Sequence, residues 1–296
     1  MNYCLGTVQY GLNYGIQGNG QPHHEAVYEM LSYAIEHGIE QFDTASAYGE
    51  AENVLGGFIK RNPQVIDKMK IVSKLRPDAL VKSDKTNWSK VVVENAENSL
   101  NRLGIKRFSS YLFHNAAHIF DRDAVDALYA VKEAGLTDQI GVSVYNPEEA
   151  MKALDYPYIE AIQIPYNVFD RRLDKCGFFS LAKTKRVIVY ARSSLLQGLA
   201  VMNPDNLPER VSFARDYLIQ YDSLCKEYSI PKLNVAIGYV AQKSAIDYIV
   251  FGVDNKKQLE EYLSMSHQTL PAELIERLDE VFDDVSEKFV NPVLWK

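Results

Sequence analysis

Eight short apolar runs, each followed by a segment with helical periodicity, constrain the fold of this 296-residue chain more than any other feature of its sequence. The runs are continuously apolar rather than alternating, which is typical of parallel strands buried on both faces. They predict strands at residues 5–8, 39–43, 70–74, 110–114, 139–143, 161–164, 187–190 and 248–251. Eight such units favour the (β/α)8 TIM barrel of the α/β class. A doubly wound open sheet is the alternative, because it has the same alternation of strands and helices.

Apolar residues at helical spacing predict the segments between these strands. The predicted helices cover residues 24–37, 51–60, 89–103, 123–134, 147–154, 178–183, 210–228, 233–243 and 256–265. An extra amphipathic helix at 271–285 and a tail at 290–296 follow the last unit. We therefore expect one barrel domain over residues 1–296, with the C-terminal helix and tail at about 271–296.

The charge balance limits the classes of partner. The chain has 32 Lys and Arg residues against 39 Asp and Glu residues, and its net charge is −7. This acidity argues against a nucleic acid or an anionic membrane surface as the main partner. No apolar run approaches the ~20 residues that span a bilayer. We expect a small-molecule partner, and a monomer or a weak homo-oligomer.

Cysteine usage and the N-terminal residues indicate the compartment. Cys4, Cys176 and Cys225 are odd in number, far apart and outside any CxxC or Cys/His pattern. Neither a disulfide framework nor a metal site is expected from them. The N-terminal residues have neither the basic region nor the apolar region of a secretory signal. A cytoplasmic location is therefore the expectation.

Polar residues end seven successive predicted strands: Asp43, Lys74, His114, Ser143, Gln163, Tyr190 and Gly252. In a barrel these ends surround one mouth, where active sites lie, whereas in an open sheet they spread along a line. Taken alone, an Asp after a strand is typical of a turn or a helix cap, and a His is typical of a packed core. Asp, Lys and His at three successive strand ends, with Tyr48 in the loop between the first two, together predict a site.

The stretch DTASAYGEAENVLG at residues 43–56 resembles the DTAxxYGxxExxLG motif of the aldo-keto reductase family. Blocks similar to that family follow in its order over almost the whole chain, at residues 73–74, 113–114, 141–143, 162–167, 190–198 and 252–259. The RS…LQG variant at 192–198 and the Asn-Pro…Trp at 291–295 are similar to a bacterial branch often associated with polysaccharide or sugar-nucleotide pathways.

The resemblance implies hydride transfer from a reduced nicotinamide to an aldehyde or ketone. Tyr48 would be the general acid, His114 would orient and polarise the carbonyl, and Lys74 paired with Asp43 would tune the tyrosine. Elementary electrostatics agrees with these roles. A free tyrosine has a pKa of ~10, and a nearby ammonium lowers that pKa. A carboxylate keeps a buried lysine charged, and a neutral imidazole N–H stabilises charge developing on a carbonyl oxygen.

The same resemblance implies NADP as the cofactor, with NAD as the alternative. The residues implied to bind it are Ser143 and Gln163 at the carboxamide, Tyr190 on the nicotinamide ring, Arg192, Ser193 and Leu195 along the pyrophosphate, and Gly252, Asn255, Lys256 and Gln258 in the last unit. Val144 stands where many members have an Asn that binds the carboxamide. Asp254 occupies a commonly basic position, and a carboxylate disfavours a nearby phosphate. Lys256 and Lys257 remain as sources of positive charge for that phosphate.

The substrate pocket is predicted from aromatic and amide side chains in loops after strands or in the tail. The candidates are Trp88, Asn115, Asn167, Phe169 and Trp295. Aromatic faces stack on the apolar faces of sugars, and amides pair with hydroxyls. A sugar-like or small carbonyl compound is therefore the expected substrate.

Two other functions stay open at this point. One is a cofactor-binding redox sensor with little turnover, against which the complete set of Asp43, Tyr48, Lys74 and His114 argues. The other is an aldolase in which Lys74 forms a Schiff base with the substrate.

Overall fold

The eight predicted strands are present in a computed structural model of the chain, which describes residues 2–16, 18, 20–81, 83–265 and 269–295. The ends of the predicted domain, Met1 and Lys296, lie outside the described residues. The strands are β1 (Asn2–Gly6), β2 (Gln41–Asp43), β3 (Lys70–Leu75), β4 (Phe108–Phe113), β5 (Thr137–Ser143), β6 (Ala161–Pro165), β7 (Ile188–Arg192) and β8 (Tyr248–Gly252).

The strands pair in chain order, all parallel, and form a closed barrel. Closure comes from β8, which pairs with β1 over a register from Asn2–Tyr248 to Gly6–Gly252. The predicted (β/α)8 fold is therefore confirmed, and the open sheet was the wrong alternative. Closure also gathers all eight carboxyl ends of the strands at one mouth.

Helices connect the strands and surround the barrel. They are α1 (Val8–Gly11), α2 (His24–Glu36), α3 (Ala51–Arg61), α4 (Trp88–Leu103), α5 (Arg122–Glu133), α6 (Pro147–Ala153), α7 (Phe178–Lys185), α8 (Arg215–Glu227), α9 (Lys232–Ala241), α10 (Lys256–Ser264), α11 (Ala272–Val281) and α12 (Glu287–Val290). Sequence periodicity did not predict the single turns of α1 and α12. The predicted helix at 210–228 begins instead with a 3₁₀ segment, Glu209–Ala214.

Side chains of each strand alternate between two apolar clusters. Leu5, Ile71, Tyr111, Ile162 and Val189 belong to the large cluster between the strands and the helices. Their neighbours in sequence form a small cluster of Cys4, Val72, Leu112, Ala161 and Tyr190. We assign this small cluster to the interior of the barrel, because alternate residues of a barrel strand face inward. This cluster lies below the residues at the carboxyl ends of the strands and supports them from inside the barrel.

Side-chain caps fix where the helices after β5 and β8 begin. Asn146 accepts a hydrogen bond from the backbone N–H of Glu149, whose carboxylate accepts one from the Asn146 N–H, and this capping box opens α6. Asn255 accepts a hydrogen bond from the Gln258 N–H at 3.0 Å and opens α10. Within the described residues, every helix is too short or too polar to cross a bilayer.

Candidate active site

A lysine ammonium joins the ends of β2 and β3. The Nζ of Lys74 donates to both carboxylate oxygens of Asp43, at 2.7 and 2.8 Å, and to the carbonyl of Thr44 at 2.9 Å. It also lies 3.3 Å from the hydroxyl of Tyr48. Lys74 is completely buried, so these partners replace its hydration. The carboxylate, the ammonium and the phenol therefore form one contiguous hydrogen-bonded group.

The protonation states of this group follow from burial and from its internal pairing. Burial alone would lower the pKa of Lys74, but Asp43 and Tyr48 outweigh it, so the pKa is raised and the ammonium persists. Burial raises the pKa of Tyr48 to about 12, although Lys74 acts to lower it. Lys74 therefore acts on the Tyr48 pKa in the expected direction, but desolvation is the larger effect and leaves the pKa above its ordinary value. Tyr48 is a neutral phenol at neutral pH.

His114 follows the last residue of β4 and meets Tyr48 edge to face, with ring centroids 5.5 Å apart and planes at 90°. Its pKa is lowered to about 3 by burial, with further contributions from the charges of Lys74 and Arg192. The imidazole is therefore neutral at physiological pH. Its Nδ1 is buried without a hydrogen-bond partner among the described residues.

Two side chains from β5 and β6 extend the group across the barrel. The amide nitrogen of Gln163 donates to Oδ1 of Asp43 at 2.7 Å. The hydroxyl of Ser143 donates to the amide oxygen of Gln163 at 3.2 Å. The same carboxylate therefore orients both the ammonium of Lys74 and the amide of Gln163.

A cavity of about 610 Å³ opens at the mouth of the barrel, within the size range of small-molecule and cofactor sites. Ten of the residues predicted for catalysis or cofactor binding line it: Asp43, Tyr48, His114, Ser143, Gln163, Arg192, Ser193, Leu195, Gly252 and Gln258. Lys74 lies behind this lining and reaches it through Asp43 and Tyr48. The ten lining residues come from six strands or the segments that follow them.

Three residues predicted to bind the cofactor lie away from the cavity lining. Tyr190 is 1 % exposed and stacks on Tyr248, with centroids 5.0 Å apart. Tyr190 lies below the cavity, in the interior of the barrel, because β7 extends to Arg192 rather than ending at residue 190. Asn255 caps α10, and the ammonium of Lys256 lies 5.1 Å from the ring centroid of Tyr33.

The predicted substrate-pocket residues also have structural partners elsewhere and do not line the cavity. The indole N–H of Trp88 donates to the Leu80 and Ser83 carbonyls, and that of Trp295 donates to the Lys288 carbonyl. Asn115 caps a 3₁₀ turn and Asn167 bonds the Ser193 carbonyl. Phe169 packs on Phe282 and Phe289. Asn115, Asn167 and Phe169 lie in loops and Trp295 in the tail, as predicted, whereas Trp88 is the first residue of α4. The contacts that hold these side chains away from the cavity are not visible in the sequence pattern.

Several residues that line the cavity were missed. They are Gln9 and Tyr14 after β1, Tyr145 after β5, Ser194 and Gln197 after β7, and Glu261 on α10. Among these residues, Tyr145 could have been predicted from its position two residues beyond Ser143, where β5 ends. Tyr14 and Gln197 belong to loops that meet where the N–H of Ile16 donates to the Gln197 carbonyl at 3.3 Å.

The loop after β7 has an unusual backbone. Ser193, Leu196 and Gln197 adopt positive φ angles of 63°, 47° and 57°. Such conformations cost about 1–3 kcal/mol each in non-glycine residues and persist where packing enforces them, often at ligand sites. Next to them, the hydroxyl of Ser194 is buried without a hydrogen-bond partner among the described residues, although Ser194 lines the cavity.

Comparisons with known proteins agree with the barrel fold. The sequence model of the Aldo/keto reductase family matches residues 3–283. The aldo-keto reductase YhdN of Bacillus subtilis (strain 168) is 25% identical over 288 residues, covering 89% of this chain and 86% of YhdN. The NADH-specific methylglyoxal reductase of Escherichia coli (strain K12) is 25% identical over 311 residues, covering 93% and 95%. The crystal structure of PA4992 from Pseudomonas aeruginosa, assigned to the aldo-keto reductases, has a TM-score of 0.67 at 21% identity, covering 91% of this chain and 90% of that one.

Proposed function

This chain belongs to the aldo/keto reductase family and is an NAD(P)H-dependent oxidoreductase of that type, and from that premise we propose how its residues reduce a carbonyl compound. The observation that carries the proposal is the contact of the Tyr48 hydroxyl with the Lys74 ammonium at 3.3 Å, beside a neutral His114. A bound dihydronicotinamide supplies the hydride to the carbonyl carbon.

Tyr48 donates its proton to the carbonyl oxygen as the hydride arrives, so the alcohol forms and the tyrosine becomes a phenolate. Its pKa of about 12 keeps the proton in place until that moment. Lys74 then stabilises the phenolate, which takes a proton from solvent before the next turnover. His114 donates an N–H to the same oxygen and fixes its direction. Asp43 holds Lys74 charged and positions Gln163.

The lining of the cavity fits a nicotinamide dinucleotide. Buried polar atoms with no hydrogen-bond partner among the described residues include Gln9 Oε1, Ser194 Oγ and Arg192 Nε. All three residues line the cavity, and such atoms favour a polar ligand there. Ser143 and Gln163 would hold the carboxamide, and Ser193, Ser194 and Leu195 would hold the phosphates. The adenosine would reach Gly252 and Gln258.

We revise the NADP preference to NAD. Asp254 and Glu261 line the adenosine end of the cavity, whereas Lys256 and Lys257 are absent from the lining. Two carboxylates repel a 2′-phosphate but accept hydrogen bonds from an unmodified ribose. The similarity to an NADH-specific reductase supports the same preference.

The substrate would be a small carbonyl compound, including sugar-like ones. Tyr14 and Tyr145 supply aromatic faces to the cavity, and Gln9 and Gln197 supply amides. Aromatic faces and amides suit hydroxylated compounds. The 192–198 segment is similar to a bacterial branch often associated with polysaccharide or sugar-nucleotide pathways, which supports a sugar-like substrate.

Lys74 is a poor candidate for Schiff-base chemistry. A nucleophilic amine must lose its proton, yet the pKa of Lys74 is raised and both Asp43 oxygens bond its ammonium. We therefore do not propose the aldolase, and no observation favours the sensor.

The test is a parallel fluorescence titration with NADH and NADPH, followed by assays of NADH oxidation with short aldehydes and aldoses. We expect NADH to bind at least about tenfold more tightly than NADPH, and Asp254→Arg to reverse that order. Tighter binding of NADPH would refute the NAD preference alone. Failure of both dinucleotides to bind would refute the proposed function.

A further inference from the structure

Strand β7 presents two residues of the same face at different depths. Tyr190 and Arg192 are two positions apart, so their side chains leave the strand on the same side. Tyr190 belongs to the small cluster assigned to the barrel interior and is stacked on Tyr248. Arg192 lies one layer nearer the mouth and lines the cavity. The side chain that β7 presents to the cavity is therefore the guanidinium of Arg192 and not the phenol of Tyr190.

The guanidinium of Arg192 is held in a fixed plane. Its Nη2 donates to the Val144 carbonyl at 2.7 Å, and its Nη1 donates to the Ser193 hydroxyl at 3.2 Å. Its Cζ lies 4.5 Å from the ring centroid of Tyr145, so the aromatic ring packs against the guanidinium. A planar, weakly hydrated guanidinium held in this way stacks well on a second flat group.

Arg192 has no carboxylate within 4.0 Å among the described residues, so its charge is uncompensated. The other charges nearby cancel, because Lys74 is paired with Asp43. His114 is neutral at physiological pH. Near Gln163 and His114 the lining therefore carries one net positive charge, at Arg192, while the carboxylates of Asp254 and Glu261 line the part of the cavity next to Gln258.

Arg192 also lies between the residues proposed for the two ends of the nicotinamide mononucleotide. Gln163 is on the neighbouring strand β6, where Pro165 pairs with Arg192. Ser193 follows Arg192 directly, and Leu195 is three residues beyond it. A ring whose carboxamide is at Gln163 and whose phosphate is at Ser193 passes over Arg192.

We propose that the Arg192 guanidinium is the platform for the nicotinamide ring and that its charge makes the site prefer the reduced dinucleotide to the oxidised one. The inference rests on the proposed function. The oxidised ring is a cation and the reduced ring is neutral, so only the oxidised ring is repelled by Arg192. This preference lets the site select the reduced form from a mixture and release the oxidised form after turnover, which suits a reductase.

The experiment measures the dissociation constants of NADH and NAD⁺ for the full chain by fluorescence and calorimetry, without substrate. Arg192→Met removes the charge at similar length, and Arg192→Lys keeps the charge without the plane. Arg215→Met is the matched control, because Arg215 is an exposed arginine paired with Asp205. We expect the ratio of the NAD⁺ constant to the NADH constant to fall about tenfold in the Met variant. A tenfold change equals about 30 mV in the potential of the bound two-electron couple.

The Lys variant should keep the ratio while weakening the binding of both dinucleotides by a similar factor, and the control should change neither constant. A Met variant whose ratio stays within about twofold of the unmodified chain would overturn the inference while leaving the proposed function intact. Arg192→Gln replaces the Met variant in the same measurement if thermal melts show that the Met variant does not fold. Failure of the unmodified chain to bind NADH would instead overturn the proposed function.

Discussion

Gly11 lies directly against the backbone of Tyr48. A Cβ on Gly11 would fall 1.8 Å from the Tyr48 carbonyl oxygen and 2.4 Å from the Ala51 nitrogen. The contact is matched from the other side, since a Cβ on Gly49, whose φ is +53°, would fall 2.3 Å from the Gly11 carbonyl oxygen. The single turn of α1 therefore packs backbone to backbone on the segment that holds the phenol.

Gly11→Ala should displace Tyr48 and destabilise the fold. The methyl group meets backbone atoms that cannot rotate away, and overpacking of this kind costs typically about 1–3 kcal/mol. A shift of about 1 Å at a catalytic group can lower activity about 100-fold. Urea unfolding and the rate of NADH oxidation measure the two effects. Unchanged values of both would show that the Gly11 contact is not needed.

Tyr48→Phe should abolish carbonyl reduction while leaving NADH affinity nearly unchanged. The substitution removes only the hydroxyl, and a general acid contributes about 100- to 10,000-fold to the rate. Single-turnover oxidation of NADH with an aldehyde measures the loss, and fluorescence titration measures binding. Tyr129→Phe is the control, because Tyr129 packs on Tyr158 outside the cavity. Normal turnover by the Tyr48 variant would refute the assigned acid.

Lys74→Met should lower the free energy of unfolding by about 3–5 kcal/mol, because it leaves the Asp43 carboxylate buried without its cation. Asp43→Asn should be similarly costly, since it leaves the ammonium unpaired. The double variant should lose clearly less than the sum of the two single losses. Urea unfolding of all four proteins completes the cycle, and additive losses would contradict a strongly coupled pair.

His114 should make the fold sensitive to mild acid. Its pKa of about 3 in the folded chain lies below the ~6.5 of an unfolded histidine. The neutral imidazole therefore contributes stability that is fully present above about pH 6.5 and is lost as the pH falls toward 3. Between pH 7 and pH 5 the loss is about 2 kcal/mol for this one group. His114→Gln should show a stability profile that is flatter by that amount in urea unfolding, and parallel profiles would contradict the depressed pKa.

Alcohol oxidation and carbonyl reduction should depend differently on pH. Reduction needs the neutral phenol, which the Tyr48 pKa of about 12 preserves across the neutral range. Oxidation needs the phenolate, whose population grows with pH below that value. We expect the oxidation rate to rise about tenfold per pH unit from pH 7 to pH 9, because the phenolate fraction does so well below the pKa, while the rate of reduction stays nearly level. A decline of oxidation over this interval would argue against Tyr48 as the titrating group.

The strands and the four catalytic candidates were predictable because their signals are local. An apolar run identifies a strand by itself, and the residue that ends it lies at the mouth in any closed barrel. This reasoning brought Asp43, His114 and Gln163 to one cavity. The same reasoning failed at β7, because Ala191 and Arg192 read as a loop although Arg192 pairs with Pro165 on β6.

The substrate pocket was not predictable because side-chain direction depends on tertiary contacts that the sequence pattern does not encode. Trp295 is fixed by the Lys288 carbonyl and packs near Phe213, and nothing in the local sequence indicates either partner. Tyr14 reaches the cavity through a loop that meets Gln197, more than 180 residues later. The charge distribution at the end of the cavity next to Gln258 likewise depends on the direction of α10, which places Glu261 in the lining.

Pairing of β1 with β8 has a consequence for synthesis of the chain. The second edge of β1 finds its partner at Tyr248–Gly252, the last strand to be made. In a nascent chain that ends before these residues, β1 and β7 each have an unpaired edge. The cavity then lacks the lining residues of β8 and Gln258. We expect such chains to depend on chaperones that cover exposed strand edges. The lining of the cavity is therefore incomplete until Tyr248–Gly252 have been synthesised, and ligands of the cavity can act on folding only after that point.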